Sequence, residues 1–376
     1  MIVSQQQRYH SFDCLRATMM LLGIWMHGVQ CYTHLGIYMW PFKDAVRSQV
    51  FDFTINWVHM FRMPAFFAMA GFFFALLTAR RGLAGAVSNR LKRVLVPFVL
   101  AWLVLAPVII ATIGYLRQRS WAGAWAAATD AATYWKYGPL HLWFLEYLLL
   151  LYPFMLGADW LWRRLLGRRA LTSMSRLFRW CLQSRWRAFF MALLSAAPMA
   201  TMSGWLTTPM GFAPNGCVLL TYFTFFGFGW ALYFQRDLLN SLSSGGWTEL
   251  VAGLVLMALG YAVLVDAAPA HLWRFAGPLA TWLFIFGFIS LCLRYLERPV
   301  PWLRYLADSS YWLYLIHVPV LIWVQVLVAP LPLPALLKGM LSLAIALPPM
   351  LASYHFAVRP TWLGELLNGR RYALGN

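Results

Sequence analysis

Long apolar runs, separated by short connections rich in basic residues, follow one another along the whole chain of 376 residues. Ten of these runs reach the roughly 17 to 25 residues that an α-helix needs to cross the hydrocarbon core of a bilayer. They lie at 12–34, 51–77, 94–115, 139–161, 188–205, 216–235, 248–266, 275–293, 309–328 and 336–357. The pattern therefore predicts an all-α, multi-pass membrane helical bundle of about ten transmembrane helices.

The basic residues orient these helices, because membrane proteins keep an excess of Lys and Arg in their cytoplasmic loops. With both termini in the cytoplasm, 22 basic residues fall on the inner side and six in the outer loops. The outer six are Lys43, Arg47, Arg117, Arg119, Lys136 and Arg274. We therefore expect cytoplasmic termini. The longest inner connection, 163–187, is expected to lie along the lipid headgroups as an amphipathic segment.

Composition supports a membrane protein and excludes several other classes. Charged residues make up 11% of the chain, whereas soluble proteins average about 25%. The net charge of +18 is also typical of nucleic-acid-binding proteins, but the basic residues sit in short connections, so no nucleic-acid partner is expected. Five scattered cysteines without CxxC spacing indicate neither a disulfide framework nor a zinc site. We expect no cleavable signal peptide and one domain over residues 1–376.

The first apolar run carries ionisable groups that a membrane helix normally avoids. Asp13, Arg16 and His27 each cost at least a few kcal/mol on insertion, so such groups usually face a bundle interior or an aqueous cavity. On a helix, Arg16 and His27 share a face and lie about 16 Å apart along the axis. Asp13 and Arg16, three residues apart, are close enough to pair. The default interpretation is a functional site.

Four further short motifs follow along the chain. They are Phe61-Arg62-Met63-Pro64-Ala65-Phe66-Phe67 continuing to Gly71, Arg90-Leu-Lys-Arg93 followed by Pro97, His141-Leu-Trp-Phe-Leu, and Ser310-Tyr-Trp-Leu-Tyr-Leu-Ile-His317. Together with Asp13-x-x-Arg16 and His27, they resemble the signature of acyltransferase family 3 in composition and order. The resemblance implies a membrane enzyme that transfers acyl groups from coenzyme A thioesters to sugars.

Within that family, the N-terminal run and the motifs around Arg62 and His141 look most similar to a branch that succinylates periplasmic β-glucans. The resemblance implies succinyl-CoA, or acetyl-CoA, as donor substrate, a glucan or other glycan as acceptor, and neither a permanently bound cofactor nor a metal. It also implies the bacterial inner membrane, with lipids around the protein, and is compatible with a homodimer. Glu146 departs from the branch, in which an apolar residue is expected at that position.

His27 is the predicted general base, because imidazole ordinarily titrates near neutral pH and the acceptor hydroxyl must lose a proton. The alternative is an inert histidine near the outer end of the first helix. Asp13 and Glu146 complete the predicted catalytic set.

Arginines near the cytoplasmic boundary are the predicted binding site for coenzyme A. Arg16, Arg90 and Arg93 carry planar guanidinium groups, which suit phosphate oxygens. Positive-inside anchoring is the alternative interpretation of Arg90 and Arg93, and the preferred one for Arg80 and Arg81.

Arg62 should lie near the middle of the bilayer, where a guanidinium group needs an anion. One hypothesis is that it binds the thioester region or the free carboxylate of a succinyl group. The other is a structural ion pair with Glu146, which enters the fourth helix from the same side.

Four further residues are expected to contact the acceptor or gate the site. His141 and Trp143 open the fourth helix on the outer side, and His59 and His317 lie within helices; an ordinary interfacial or core role is the alternative for each. No role is expected for His34, His271 or His355.

Two other function classes remain open on the sequence alone. Buried His, Arg and Glu residues also occur in secondary transporters, although no internal repeat is visible here. A glycolipid flippase or scaffold without chemistry is the third possibility. For an acyltransferase, we expect a pore between helices one, two, three and four, through which the donor reaches His27 from the cytoplasm.

Overall fold

The computed structural model describes residues 9–36, 40–202, 206–209, 211–265, 270–298 and 300–372. Over these ranges the chain is helical and has no strand, so the predicted all-α class is confirmed for them. The α-helices are α1 (His10–Gly28), α2 (Gln49–Arg90), α3 (Val96–Gln118), α4 (Trp121–Thr129), α5 (Ala131–Tyr137), α6 (Trp143–Leu165), α7 (Arg168–Gln183), α8 (Arg187–Ala200), α9 (Gly216–Phe234), α10 (Gly246–Val265), α11 (Ala270–Tyr295), α12 (Pro301–Val328), α13 (Ala335–Ser353) and α14 (Trp362–Asn368).

Six helical stretches in the described ranges are long and apolar enough to cross a membrane, or seven if one bent pair is a single span. One of the six, Gln49–Gln118, contains both the second and the third predicted helix. The first predicted helix, with its charged residues, is not among the six, and α8 has only 14 residues. The protein is thus a multi-pass helical membrane protein, while the count of ten spans and the side of the termini stay predictions.

Gly82 separates α2 into two parts. Its φ of 69° and ψ of 175° lie outside the helical region, and glycine adopts a positive φ at little steric cost. The apolar part of α2 ends there, and the second part continues through a π-helical turn, Leu91–Leu95, into α3. Arg90 and Arg93 are therefore carried by a short bridge between two long helices.

The core is built around α1 and α2. α1 packs between α2 and α12, while α2 packs closely against α9. At that second contact Gly71 and Gly229 allow the two backbones to approach, because a Cβ at either position would overlap the main chain of the other helix. Large aromatic side chains fill the surrounding space; the fully buried ones include Phe67, Phe72, Phe74, Tyr222, Phe225, Phe226 and Trp282.

α7 is a surface helix within the predicted amphipathic connection. Its arginines lie on one face, whereas Met174 and Leu177 lie on another and remain 45% and 60% exposed. A basic helix with an exposed apolar face suits the membrane interface. Its contact with lipid stays a prediction.

Candidate active site

A cavity of about 1330 Å³ runs through the middle of the bundle. It is larger than the roughly 300–1,000 Å³ of an ordinary small-molecule pocket. Its walls come from α1, α2, α6 and α12, with residues of α14 at one end. The pore hypothesis expects walls from predicted helices one to four, which correspond to α1, α2, α3 and α6. The structure differs in one wall: α12 lines much of the cavity, whereas α3 itself contributes only Ile109.

The cavity is long as well as wide. Lining residues recur every three or four positions of α2 from Ile55 to Arg81, a distance of about 39 Å along a helix axis. The hydrocarbon core of a bilayer is about 30 Å thick. The cavity therefore follows α2 over a full membrane thickness.

Positive charge is concentrated at one end, which we call the arginine end. Its lining arginines are Arg16, Arg80, Arg81, Arg90, Arg93, Arg304 and Arg370. Among the residues that the structure describes, two carboxylates line the cavity: Asp13, 3.2 Å from Arg16, and Asp308, 3.0 Å from Arg370. The remaining excess of guanidinium groups suits a ligand with several phosphates.

Two features of the arginine end differ from the expectations. Arg80 and Arg81 line the cavity and are exposed, although their preferred interpretation is membrane anchoring; α2 continues past its apolar run and carries them to this end of the cavity. Asp13 lies 14 residues before His27 on the same helix, which is about 21 Å along the axis. Asp13 is therefore out of reach of His27 and instead contacts Arg16.

Three histidines meet near the other end of the cavity, and we call them the histidine cluster: His27, His141 and His317. The ring centroid of His317 lies 5.0 Å from that of His27 and 5.4 Å from that of His141. His141 and His317 are buried, with 9% and 3% of their surface exposed. In the described part of the chain, no group of three or more His, Cys, Asp or Glu residues could hold a metal ion.

Each imidazole in the histidine cluster has one nitrogen tied to a fixed oxygen. His27 Nδ1 donates to Gln30 Oε1 at 2.8 Å, His317 Nδ1 to the Tyr314 carbonyl at 2.7 Å, and His141 Nε2 to the Leu315 carbonyl at 2.9 Å. In the neutral ring the other nitrogen then carries the lone pair. His27 lines the cavity, so its Nε2 can accept a proton from a bound hydroxyl group.

Arg62 projects from α2 into the cavity about one helical turn from His27. Its guanidinium group lies against Gly23 of α1, where a Cβ would overlap it. Its Nε is buried without a hydrogen-bond partner. Among the described residues, no carboxylate lies within ion-pair distance of Arg62. A buried cation with an open donor is suited to hold an anion.

Glu146 does not reach this site. It is absent from the cavity wall, whereas Phe144, Leu145 and Leu148 on the same helix line it. At about 100° per residue, Glu146 lies on the side of α6 roughly opposite to these residues. The predicted structural pair with Arg62 is therefore wrong for this structure, and the carboxylate is not placed to take part in chemistry at His27.

The other predicted acceptor or gating residues have separate surroundings. His59 lines the cavity with Asn56 and Thr208, and its Nε2 bonds the Leu206 carbonyl. Trp143 also lines the cavity, but its ring packs into the aromatic core, 5.4 Å from Tyr222. The structure thus brings His27, His141 and His317 together, with His59 farther along the same cavity.

Several contacts of the site were not expected from the sequence. Trp40 stacks on His27 with a centroid distance of 5.9 Å and an interplanar angle of 17°. Gln325 of α12 bonds both Trp40 and the end of α1. An amide inside an apolar span is itself a signal, because an unpaired polar group is costly in a membrane. Gln30 could have been found by its spacing of three from His27.

Comparisons with known proteins show to which family this chain is similar. The family model described as an acyltransferase domain matches residues 9–354. The chain is 31% identical over 147 residues to glucans biosynthesis protein C of Escherichia coli strains SMS-3-5 / SECEC and K12 / DH10B. That alignment covers 37% of this chain and 36% of each relative, so the chain spans only about a third of the length of these curated relatives. No solved structure matches the chain.

The motifs behind the family resemblance all lie within the matched range. Each of the five motifs contributes side chains to the cavity: Arg16 and His27, Arg62, Arg90 and Arg93, His141, and His317. The matched range includes all of α1 through α13, and with it the whole histidine cluster. The resemblance drawn from the motifs is confirmed, and this chain belongs to acyltransferase family 3, a family of membrane acyltransferases.

Proposed function

We propose that this protein is an O-acyltransferase of the bacterial inner membrane that moves a succinyl group from cytosolic succinyl-CoA to hydroxyl groups of a periplasmic β-glucan. The observation that carries the proposal is the cavity, which connects an arginine-rich end to three histidines over a membrane thickness. The name of the E. coli relatives supports a glucan as the acceptor. Family membership favours acyl transfer over a transporter or a scaffold.

The donor occupies the cavity from the arginine end. The phosphates of coenzyme A bind at Arg90 and Arg93, with other arginines of that end around them. The pantetheine arm then extends along α1. Because Arg16 and His27 are about 16 Å apart along α1, a long and thin arm is required to bring the thioester to His27.

His27 acts as the general base. Its Nε2 takes the proton of the acceptor hydroxyl while the hydroxyl oxygen attacks the thioester carbonyl carbon. The carbon–sulfur bond then breaks, and the proton on His27 passes to the departing sulfur. The products are a sugar ester and free coenzyme A. A positioned base of this kind contributes typically 10²- to 10⁴-fold in rate.

Arg62 stabilises negative charge on the acyl group. It binds either the free carboxylate of the succinyl group or the oxyanion that forms at the thioester carbonyl, because both are anions that a buried guanidinium can hold. Replacing Arg62 with Gln distinguishes them by comparing succinyl-CoA with acetyl-CoA, which has no free carboxylate. A loss confined to succinyl-CoA indicates the carboxylate, whereas an equal loss with both donors indicates the oxyanion. Unchanged transfer from either donor would remove Arg62 from the mechanism.

The proposal is tested with purified protein, each donor in turn, and a β-glucan. Release of free thiol together with a new ester on the glucan, seen by mass spectrometry, is expected for the wild-type protein. His27→Ala should remove transfer while leaving donor binding intact, and His355→Ala, outside the cavity lining, is the matched control. Transfer from acetyl-CoA to another envelope glycan would support the second candidate, an O-acetyltransferase. A His27→Ala protein with more than roughly a tenth of wild-type turnover would require another base.

A further inference from the structure

We propose that Gln325 is a positioning residue for His27, a role that rests on the proposed function. Gln325 lies on α12 and is completely buried. Its Nε2 donates to the carbonyls of His27 at 2.9 Å and of Gly28 at 2.8 Å. These carbonyls belong to the last turn of α1, where an α-helix leaves its carbonyls short of partners and where the His27 carbonyl also accepts the N–H of Val29. The Gln325 amide therefore caps the helix and fixes the backbone that carries the base.

The same amide also controls what covers the His27 ring. Gln325 Oε1 accepts the indole N–H of Trp40 at 2.8 Å. The Trp40 ring is stacked on His27, and only 7% of Trp40 is exposed. The amide nitrogen of Gln325 thus holds the backbone at His27 and Gly28, and its oxygen holds the indole that stacks on the His27 ring.

The segment that carries Trp40 is itself held in place. Asp44 forms an ion pair of 3.0 Å with Lys338 of α13, and the two side chains are 2% and 5% exposed. The backbone N–H of Asp44 donates to the Cys31 carbonyl at 3.0 Å. A buried ion pair has little tolerance for displacement, because breaking it leaves an uncompensated charge. Trp40 is therefore a fixed wall above the histidine.

These contacts leave the imidazole of His27 with one orientation. Nδ1 is tied to Gln30, one face lies against Trp40, and the main chain is tied to Gln325. A base that must meet a hydroxyl and a thioester at once depends on such alignment, and a misplacement of about 1 Å can cost 10²-fold in rate. Gln325 adds no net charge next to the ring, so its contribution is orientation.

The test replaces Gln325 with Met, which keeps the length but has no amide, and Trp40 with Phe, which keeps a stacking ring but loses one N–H. The matched control is Ser342→Ala, which removes a buried hydrogen bond of 3.0 Å between α13 and Tyr32 without touching His27. Gln325→Met should lower kcat by about 10- to 100-fold, with the KM of both substrates within about twofold. Trp40→Phe should show a smaller loss of the same kind, and Ser342→Ala should behave as the wild type.

A second measurement separates this proposal from the proposed function. Diethylpyrocarbonate modifies accessible imidazoles, and the rate at His27 can be followed by mass spectrometry of its peptide. Loss of the hydrogen bond between Gln325 and residue 40 should loosen the ring at position 40 and speed modification of His27 in both variants relative to Ser342→Ala. If the wild type transfers no acyl group, the proposed function fails, and these rates still decide the positioning role. If Gln325→Met does not fold, Trp40→Phe remains as the test. Equal modification rates, or wild-type kcat in both variants, would overturn the proposal.

Discussion

Gly23 controls the position of the Arg62 guanidinium group. The two touch across α1 and α2, and a Cβ at Gly23 would overlap the end of the Arg62 side chain. Because that end is flexible, the protein can fold around a methyl group, but Arg62 must then move. Alanine also stabilises a helix interior by roughly 0.5–1 kcal/mol relative to glycine. Gly23→Ala should therefore leave the melting temperature unchanged or raised while lowering acyl transfer.

Gly157 provides the control for that prediction. It also lies inside a helix, α6, but a Cβ there would meet nothing within 4 Å. Gly157→Ala should gain the same helix stability and keep full activity. Thermal denaturation and a transfer assay on both variants give the answer. Full activity in Gly23→Ala would mean that the place of Arg62 does not matter for the reaction.

At the scale of single residues, the sequence could predict which ionisable groups are unusual for a membrane helix, but not always whether each one lies on the helix face that lines the cavity. His27 and Arg62 stand out because such groups are costly in an apolar run. Glu146 stands out for the same reason, yet it lies on the far side of α6. The helix is apolar on several faces, so its pattern does not reveal which face lines the cavity. Gln325 was missed although an amide inside an apolar span is itself a signal, because a single neutral amide has no charge pattern around it.

At the scale of helices, the contact between α2 and α9 sets the distance between two walls of the core. Gly229 lies against the backbone of Ala68 and Phe72, and that backbone cannot move aside as a flexible side chain can. We predict that Gly229→Ala destabilises the protein by about 1–3 kcal/mol, as overpacking of a tight core does. Gly227→Ala on the same helix has open space around it and should have no such effect. Thermal or denaturant unfolding measures the difference, and equal stability of the two variants would contradict the close approach.

The positions of the helices could be predicted from hydropathy better than their ends. The second apolar run is expected at 51–77, but α2 continues to Gly82 before it turns. Arg80 and Arg81 end the apolar pattern without ending the helix, because arginine has good helix propensity. The expected span at 188–205 is a helix of only 14 residues, Arg187–Ala200. Hydropathy reports burial in lipid, whereas the ends of helices depend on local turns and tertiary contacts.

For the whole molecule, the arginine end of the cavity lies on the side that the charge bias predicts to be cytoplasmic. Every arginine of the arginine end belongs to the set predicted to face the cytoplasm. Asn56 lies near the start of α2, at the opposite end of that helix from Arg80 and Arg81, and Trp40 lies beyond the end of α1. Reporter fusions at about residues 125 and 175 should therefore report opposite compartments, with 175 in the cytoplasm. The same compartment for both positions would contradict the predicted topology.

One cavity must serve two sides of a membrane if the donor is cytosolic and the acceptor is periplasmic. Under the proposed function, the nucleotide of the donor stays at the arginine end and only the acyl group passes to the acceptor. Replacing both Arg90 and Arg93 with Ala should weaken acyl-CoA binding roughly tenfold or more, since hydrogen bonds to charged groups contribute about 1.5–3 kcal/mol each. The loss should be greatest at low salt, where screening is weakest. Glucan binding should be unaffected.

The control for this double variant is replacement of Arg163 and Arg164, which are exposed on the same predicted side and do not line the cavity. Proteoliposomes with the protein in one orientation then decide the direction. Acyl-CoA, which cannot cross the bilayer, should be used only from the side of the arginine end, and the ester should form only on glucan supplied to the other side. Normal donor binding by the double variant, or transfer from acyl-CoA offered at the histidine end, would refute a fixed nucleotide and favour flipping of the whole donor.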